Sequence, residues 1–304
     1  MTEPSEEVLG LAARRAEARS SRDYGTADAL RDQISAAGWV VVDEAGGWRL
    51  EPVASSPPRS IAADDVPSIL GDPPSADASV HLVCEGWPGD IARAIASIRA
   101  HVGSADVRFV VADVAGEDPT AFGPDVEVLS LAPGTGWASA CNAGLRRACG
   151  RIVIAMDGSV EARGDIVGPL AATLADARVG LAGPYGIATH DLRRFDEVSG
   201  PGPCDAVEGY LMALRHETLV TAGTFDPKFR WYRTADVDFS FRVKDLGLST
   251  VVVDLPVVRH EHRMWEATDP AERERLSKRN FYRFLEHWRG RWDLVLDPRP
   301  PEAD

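Results

Sequence analysis

The sequence lacks any hydrophobic run long enough to cross a bilayer, although 44% of its 304 residues are hydrophobic. A membrane-spanning helix needs about 20 consecutive apolar residues, so we expect a soluble globular protein with a sizeable core. The first ten residues, MTEPSEEVLG, lack the positive charge that begins a secretory signal. We therefore expect a cytoplasmic location.

Cysteine is scarce and shows no paired spacing. The four cysteines are Cys84, Cys141, Cys149 and Cys204. Because no Cys-x-x-Cys motif is present, neither a disulfide framework nor a cysteine zinc site is indicated. We expect reduced and mostly buried cysteines that pack as small hydrophobic side chains.

Positive charge is also in short supply, with 33 Lys and Arg against 47 Asp and Glu and a net charge of -14. This balance argues against bulk binding to nucleic acid. Residues 276–292 are the exception, since they interleave basic and aromatic side chains. Phe281, Phe284, Leu285 and Trp288 have helical spacing, which predicts a terminal helix packed on the domain. Peripheral contact with the inner membrane face, or with a phosphorylated ligand, remains the alternative.

Residues 52–79 have the composition of a linker, because they are rich in Pro, Ser, Ala and Asp. Residues 1–51 form a separate small module with a helix, helix and hairpin pattern. The predicted segments are helices at 8–19 and 23–37, a stop at Gly38, and strands WVVVD and WRLEP around a turn at 44–47.

The segment ARRAEARSSRDYGTADALRDQISAAGWVVVDEAGGWRL, residues 12–50, resembles the small carboxy-terminal unit of cysteinyl-tRNA synthetases. It carries none of the catalytic or zinc-binding apparatus of those enzymes. Residues 1–51 hold ten acidic and six basic side chains, which favours docking to a protein partner over clamping RNA. A tRNA contact through a local basic patch stays open.

The segments VHLVC, VRFVVAD, VEVLSLA and RIVIAMD alternate with helical patterns near 90–101 and 137–149. Short β-branched runs of this kind predict parallel strands that are buried on both faces, hence an α/β sandwich with a mostly parallel sheet. Ligands of such sheets bind beyond the carboxyl ends of the strands. Glu85, Asp113 and Asp157 should therefore lie on one rim.

Five further segments occur in the order VVAD, GTGWASACNAGLRRACGRIVIAMDGS, VEGYLMALRHETLVTAGTFDPKF, TADVDFSFRVKDLG and VVRHEH. Together they make residues 80 to about 290 resemble inverting family 2 glycosyltransferases of the GT-A fold. The resemblance implies a GT-A domain at 80–295 that moves a sugar from a nucleotide-diphosphate donor to an acceptor hydroxyl. Sugar, nucleotide and acceptor are left open.

Cleavage of the bond between sugar and diphosphate builds negative charge, which a divalent cation or fixed cations must offset. The resemblance places a metal-binding Asp-x-Asp at Asp157 and a metal-binding histidine at His260. The chain reads Asp157-Gly158-Ser159, so a hydroxyl replaces the second carboxylate. The expected cation, Mn²⁺ or Mg²⁺, is then bound weakly, through water, or not at all. His260 and His262 should face one side of an expected strand, with solvated histidines as the alternative.

Asp236 is the predicted catalytic base. It matches the Asp of the family's Glu-Asp motif, although Ala235 replaces the Glu, and it should begin a helix that ends at Gly247. Asp238 should point away from the site and pair with Arg242. The alternative role for Asp236 is to cap the helix.

The resemblance implies roles for further side chains on both sides of the site. Those expected to bind the donor are Glu85, Asp113, Gly136, Asn142, Asp157 and Ser159. Those expected in the acceptor and sugar pocket are Glu208, Gly209, Tyr210, Trp231 and Tyr232. A loop-starting turn for Asp113 and core packing for the aromatic side chains remain alternatives.

The substitutions at Ser159 and Ala235 leave a second function open. A GT-A protein that has lost turnover would bind a nucleotide sugar or act as a scaffold, with a possible tRNA-linked role for its first 51 residues.

Overall fold

The computed structural model describes residues 4–21, 23–37, 39–44, 47–52 and 60–299. The chain divides into two compact units, Met1–Pro58 and Arg59–Asp304. Among these described residues, every helix is too short or too polar to cross a membrane.

The first unit has the predicted helix, helix and hairpin. Its elements are α1 (Glu6–Ser20), α2 (Tyr24–Ala36), β1 (Trp39–Glu44) and β2 (Gly47–Pro52), and the two strands are antiparallel. Leu11, Leu30 and Ile34 are buried between the helices and the hairpin. The predicted stop at Gly38 and turn residues 45–46 lie outside the described residues.

The predicted linker, 52–79, covers more of the chain than the structure supports. Residues 53–59 lie outside the described part, but Ile61 pairs with the end of a strand and Val66 is buried. The Leu70 carbonyl accepts a hydrogen bond from the His216 ring at 2.9 Å. Residues 60–75 therefore belong to the second unit, because Val66 is buried in it and the Ile61 and Leu70 backbones form hydrogen bonds with it.

Eight strands of the described residues form the central sheet. In spatial order they are β11 (Gly202–Cys204), β14 (Ser249–Val252), β8 (Val179–Gly183), β13 (Leu211–Arg215), β6 (Gly150–Met156), β3 (Ala76–Cys84), β4 (Val107–Asp113) and β5 (Val126–Ser130). Strands β6, β3, β4 and β5 are mutually parallel, as β14 is to β8. Strand β13 is antiparallel to both of its neighbours. The predicted α/β sandwich with a mostly parallel sheet is confirmed.

Helices cover both faces of this sheet. They are α3 (Pro88–Arg99), α4 (Trp137–Leu145), α5 (Val167–Leu174), α6 (His216–Ala222), α7 (Ala235–Asp245), α8 (Arg263–Ala267) and α9 (Pro270–Trp288). Small strand pairings complete the unit: β7 (Val160–Ala162) with β15 (Val257–Arg259), and β9 (Gly186–Ala188) with β10 (Asp196–Glu197) and β12 (Ala206–Val207). One core lies under α3 and α5, and another lies under α4, α6 and α7. Helix α4 ends four residues before its predicted end at Cys149.

The basic and aromatic segment near the carboxyl end is helix α9, as predicted. Phe284 is fully buried, Trp288 is nearly so, and both rings pack on Phe241 of α7. Phe281 is partly buried in the same cluster, whereas Tyr282 is exposed. The aromatic face of α9 is therefore occupied by the core of its own unit.

Candidate active site cleft

The sheet brings Glu85, Asp113 and Asp157 to one rim, because Glu85 follows β3, Asp113 ends β4 and Asp157 follows β6, and these three strands are adjacent. Their side chains nevertheless point to different places. Asp113 is fully buried, and its oxygens accept hydrogen bonds from the Ala115 and Glu117 amides at 3.0 and 2.8 Å. Asp113 therefore shapes its own loop, which is the alternative role, while Glu85 and Asp157 face a common crevice.

Asp157 is held by two hydrogen-bond donors. The Ser159 amide donates to Oδ1 at 2.8 Å, and His262 Nε2 lies 3.4 Å from Oδ2. Burial raises the pKa of Asp157, but the contacts with His262 and Ser159 outweigh it and hold that pKa below its usual value. Burial lowers the pKa of His262, yet Asp157 and Glu85 raise it above the ordinary value. Asp157 is thus a carboxylate at neutral pH.

The structure places His262, and not His260, beside Asp157. Strand β15 ends at Arg259, so the predicted alternation of the two histidines along one strand is wrong. His260 instead reaches Glu161, with Nε2 and Oε2 2.7 Å apart. His262 lies after the strand, at the amino end of α8, and turns inward there.

Aromatic rings fix the position of His262. Tyr232 stacks on the imidazole with ring centroids 4.2 Å apart, and Tyr210 meets it edge-on at 6.0 Å. The Arg259 guanidinium lies over Tyr210 at 4.6 Å. Tyr210 and Tyr232 also line the cleft described below, whereas Trp231 is buried and packs against Tyr232, as core packing requires. Arg259 was not selected from the sequence, because no motif marks it and its place at the site depends on the contact with Tyr210.

Asp236 lies in the first turn of α7, as predicted, and is locked by backbone amides. The Gly209 amide donates to Oδ2 at 2.7 Å, and the Val237 amide donates to Oδ1 at 2.9 Å. A Cβ at Gly209 would lie 3.3 Å from the Asp236 Cβ, so this approach suits glycine. Burial raises the pKa of Asp236, although the two amides oppose it. A carboxylate with a raised pKa is a better proton acceptor than an exposed aspartate.

Two glutamates beside these residues are strongly perturbed. Burial, with a smaller contribution from Asp236, raises the pKa of Glu208 to about 7, against the opposing charge of Arg259. Burial, with the charge of Asp157, raises the pKa of Glu85 to about 7. Both side chains therefore change charge close to neutral pH.

A cleft of about 660 Å³ connects these groups. Asp157, Glu208, Asp236 and His262 line it on the side of the sheet, together with Gly209, Tyr210 and Tyr232. A smaller crevice continues from Asp157 and His262 to Glu85 and Ser159. The predicted metal-side and base-side carboxylates, Asp157 and Asp236, therefore share one cleft.

Gly136 and Asn142 build helix α4 without lining the cleft. Gly136 precedes α4, where a Cβ would meet Arg230 at 3.0 Å. Asn142 is buried, and its Nδ2 donates to the Phe225 carbonyl at 2.7 Å. Their neighbour Trp137 does line the cleft, which the sequence did not indicate.

The donor atoms around Asp157 fit a weakly held divalent cation. No group of three or more His, Cys, Asp and Glu suited to a metal occurs among the described residues. Asp157 and His262 are paired, and the buried Ser159 Oγ beside them has no hydrogen-bond partner. Mg²⁺ commonly takes one or two protein carboxylates and fills its shell with water and substrate phosphate. These donor atoms suit a cation whose remaining coordination positions are filled by water and a diphosphate.

Comparison with known proteins divides the chain in the same way. The family model described as cysteinyl-tRNA ligase anticodon binding domain matches residues 2–49. A cysteine-tRNA ligase of Opitutus terrae is 50% identical over 46 residues, which are 15% of this chain and 10% of that enzyme. The first unit therefore carries a cysteinyl-tRNA ligase-like module, while the chain spans only a tenth of the length of that relative.

The second unit has a GT-A glycosyltransferase fold. The crystal structure of GalNAc-T7 with UDP, GalNAc and Mn²⁺ matches with a TM-score of 0.57 and 18% identity, over 72% of this chain and 48% of that one. A mannosyltransferase from Pyrobaculum calidifontis, in complex with GDP-Man and Mn²⁺, gives a TM-score of 0.46 and 20% identity over 62% and 57%. The chain spans about half the length of these neighbours, and at this identity the likeness concerns the fold alone.

Proposed function

We propose that the second unit is a glycosyltransferase that moves a sugar from a nucleotide-diphosphate donor to an acceptor hydroxyl with inversion. The observation that carries the proposal is the single cleft lined by Asp157, His262 and Asp236. Two carboxylates with opposite pKa shifts open onto that cleft, which suits two different chemical tasks.

Asp157, His262 and Ser159 form the donor side of this proposal. We assign the diphosphate to this side of the cleft, because Asp157 and the unpartnered Ser159 hydroxyl lie here and could hold a divalent cation. GalNAc-T7, which has a similar fold, was crystallised with UDP and Mn²⁺. A bound divalent cation would supply positive charge to the leaving diphosphate. The lowered pKa of Asp157 keeps its carboxylate charged for that purpose.

Asp236 forms the acceptor side. Its carboxylate is fixed by the Gly209 and Val237 amides and keeps free lone pairs toward the cleft, where it accepts the proton of the attacking hydroxyl. Glu208, which is largely protonated below pH 7, can donate a hydrogen bond to a sugar oxygen. Tyr210 and Tyr232 also line the cleft; His262 covers one face of Tyr232 and Arg259 covers one face of Tyr210, so only the rest of each ring is available to a sugar.

The Ser159 hydroxyl favours a second candidate, a nucleotide-sugar-binding protein without turnover. It stands where the resemblance places a second metal-binding carboxylate, and a hydroxyl is the weaker ligand. Such a protein would bind the donor and leave the sugar bond intact.

The first unit is better suited to a protein partner than to RNA. Arg15 and Arg19 both pair with Asp43, and Arg15 is buried, so both side chains are engaged within the unit and Asp43 offsets one of their two charges. We propose that this cysteinyl-tRNA ligase-like module serves in docking.

Thermal shift against UDP, GDP and dTDP sugars, with and without Mn²⁺, tests the donor assignment. A ligand that binds only the folded state raises the melting temperature by mass action. The proposal predicts stabilisation by one nucleotide sugar that increases with Mn²⁺. A flat response to the whole panel would contradict both the transferase and the nucleotide-sugar-binding candidate.

A further inference from the structure

The cleft is lined by two cations that make no side-chain hydrogen bond or salt bridge among the described residues. Arg193 and Lys278 both line the cleft and are exposed. Within residues 60–299, neither side chain has a hydrogen bond or a salt bridge. In a chain of net charge -14, unpaired cations at a ligand cleft are a specific feature.

These cations belong to one wall, because their elements pack on each other. Arg193 follows the buried Leu192, which lies in one apolar cluster with Phe284 of α9. Phe195 meets Phe284 edge-on, with ring centroids 5.7 Å apart. Helix α9 also carries Lys278, so both cations are presented from a packed scaffold.

The turn that holds Arg193 is itself well defined. Asp191 Oδ1 accepts hydrogen bonds from the Arg193 and Arg194 amides, each at 2.8 Å. Thr189 Oγ1 accepts from the Leu192 amide at 3.0 Å. The backbone position of Arg193 is therefore fixed, while its guanidinium makes no hydrogen bond or salt bridge within the described part of the chain. Its charge only adds to the Arg194 amide hydrogen bond in lowering the pKa of Asp191.

A buried hydroxyl lies beside Lys278. Ser277 lines the same cleft, and its Oγ is shielded from solvent without a hydrogen-bond partner among the described residues. A buried polar atom without a partner is costly, and a ligand that accepts a hydrogen bond removes that cost. Ser277 thus points independently to a ligand with acceptor oxygens.

The donor diphosphate does not account for this wall. Under the proposed function it lies toward Asp157, Ser159 and His262, and the crevice around them includes neither Arg193 nor Lys278. Glu274 is the carboxylate nearest in sequence to Lys278 that lines the cleft, and no salt bridge joins the two within the described residues. The excess positive charge therefore faces the acceptor half of the cleft.

We propose that the acceptor of this protein carries an anionic group, a phosphate or a carboxylate, which Arg193, Lys278 and Ser277 bind. The proposal rests on the proposed function, because it names the class of acceptor for the same site. Charge-assisted hydrogen bonds to anionic oxygens are stronger than neutral ones, so the wall would select charged acceptors over neutral sugars.

Calorimetric titration of the full chain with three probes tests this assignment: glucose 6-phosphate, glucuronate and glucose, at low salt. The test variant is Arg193→Gln with Lys278→Gln. The matched control is Arg194→Gln with Arg279→Gln. These exposed arginines directly follow Arg193 and Lys278 in the sequence, and their substitution removes the same charge. We expect the charged probes to bind more tightly than glucose and to lose about tenfold in affinity in the test variant alone.

The two charged probes separate a phosphate-bearing acceptor from a carboxylate-bearing one. Equal affinity for glucose and both charged probes, or equal losses in the test and control variants, would overturn the proposal. Nucleotide-sugar stabilisation of the test variant should match the parent, since the donor side is untouched. If the parent itself shows no such stabilisation, the proposed function fails, and the acceptor assignment fails with it even where the wall binds anions.

Discussion

Replacing Glu208 with Gln should stabilise the protein at alkaline pH and leave its stability at acid pH nearly unchanged. Burial raises the pKa of Glu208 to about 7 from an ordinary 4.5, so the folded state holds its proton more tightly than the unfolded chain does. The stability from this protonated carboxyl is complete below pH 4.5 and is lost as the pH rises through 7. Glutamine keeps the shape and cannot ionise.

The size of the effect follows from the pKa and the exposure of Glu208. A pKa of about 7 against 4.5 corresponds to at most about 3–4 kcal/mol. The side chain is 22% exposed and lies near Arg259, so solvent screening reduces the expected gain to about 1–2 kcal/mol at pH 8. For a unit of this size, such a gain raises the melting temperature by about 2–8 °C.

The assay is the melting temperature of parent and variant at pH 5 and pH 8, in matched ionic strength. Glu274→Gln is the control, since it removes an exposed carboxylate from the same cleft. The melting temperature of Glu208→Gln should exceed that of the parent at pH 8 and equal it at pH 5. If the difference in melting temperature between variant and parent is the same at both pH values, or shrinks as the pH rises, burial does not raise the pKa of Glu208 as stated.

Two further predictions concern the scaffold of the site. Asn280 of α9 is buried and donates to the Trp231 and Arg233 carbonyls at 2.7 and 2.8 Å, so Asn280→Ala should cost about 2–3 kcal/mol in urea unfolding. A loss of less than about 0.5 kcal/mol in the free energy of unfolding would show that these hydrogen bonds do not hold the loop that contains Trp231 and Arg233. A chain that begins at Arg59 should fold and keep its response to nucleotide sugars in thermal shift, because the second unit has its own cores. Loss of that response would make the first unit part of the site.

The sheet could be predicted from the sequence because its signals are local. Continuous apolar runs such as VRFVVAD are typical of strands buried on both faces, and β4 is buried over its last five residues. Gly247 follows helix α7 with φ of +78°, the conformation that ends a helix at glycine. The linker prediction failed because composition averages over residues 60–75 and hides single apolar contacts such as those of Val66 and Leu70.

Site residues were predicted correctly where the position in a helix or strand determines where the side chain points. They were missed where a loop determines it. Asp157 follows a buried strand and Asp236 begins a helix, so both reach the cleft. His262 lies three residues beyond the end of β15, where strand alternation no longer applies. Arg193 and Lys278 are 85 positions apart in the sequence, and the packing of Leu192 and Phe195 in one cluster with Phe284 brings their elements together.

The most direct test of the transferase assignment is the transfer rate of Asp236→Asn with the nucleotide sugar that stabilises the parent. The amide cannot accept the acceptor proton, so transfer should fall about 10²- to 10⁴-fold while the donor still stabilises the variant in thermal shift. Asp245→Asn, an exposed site on the same helix, should transfer at the parental rate. Undiminished transfer by Asp236→Asn would contradict the account, because the cleft would then work without the carboxylate assigned as its base.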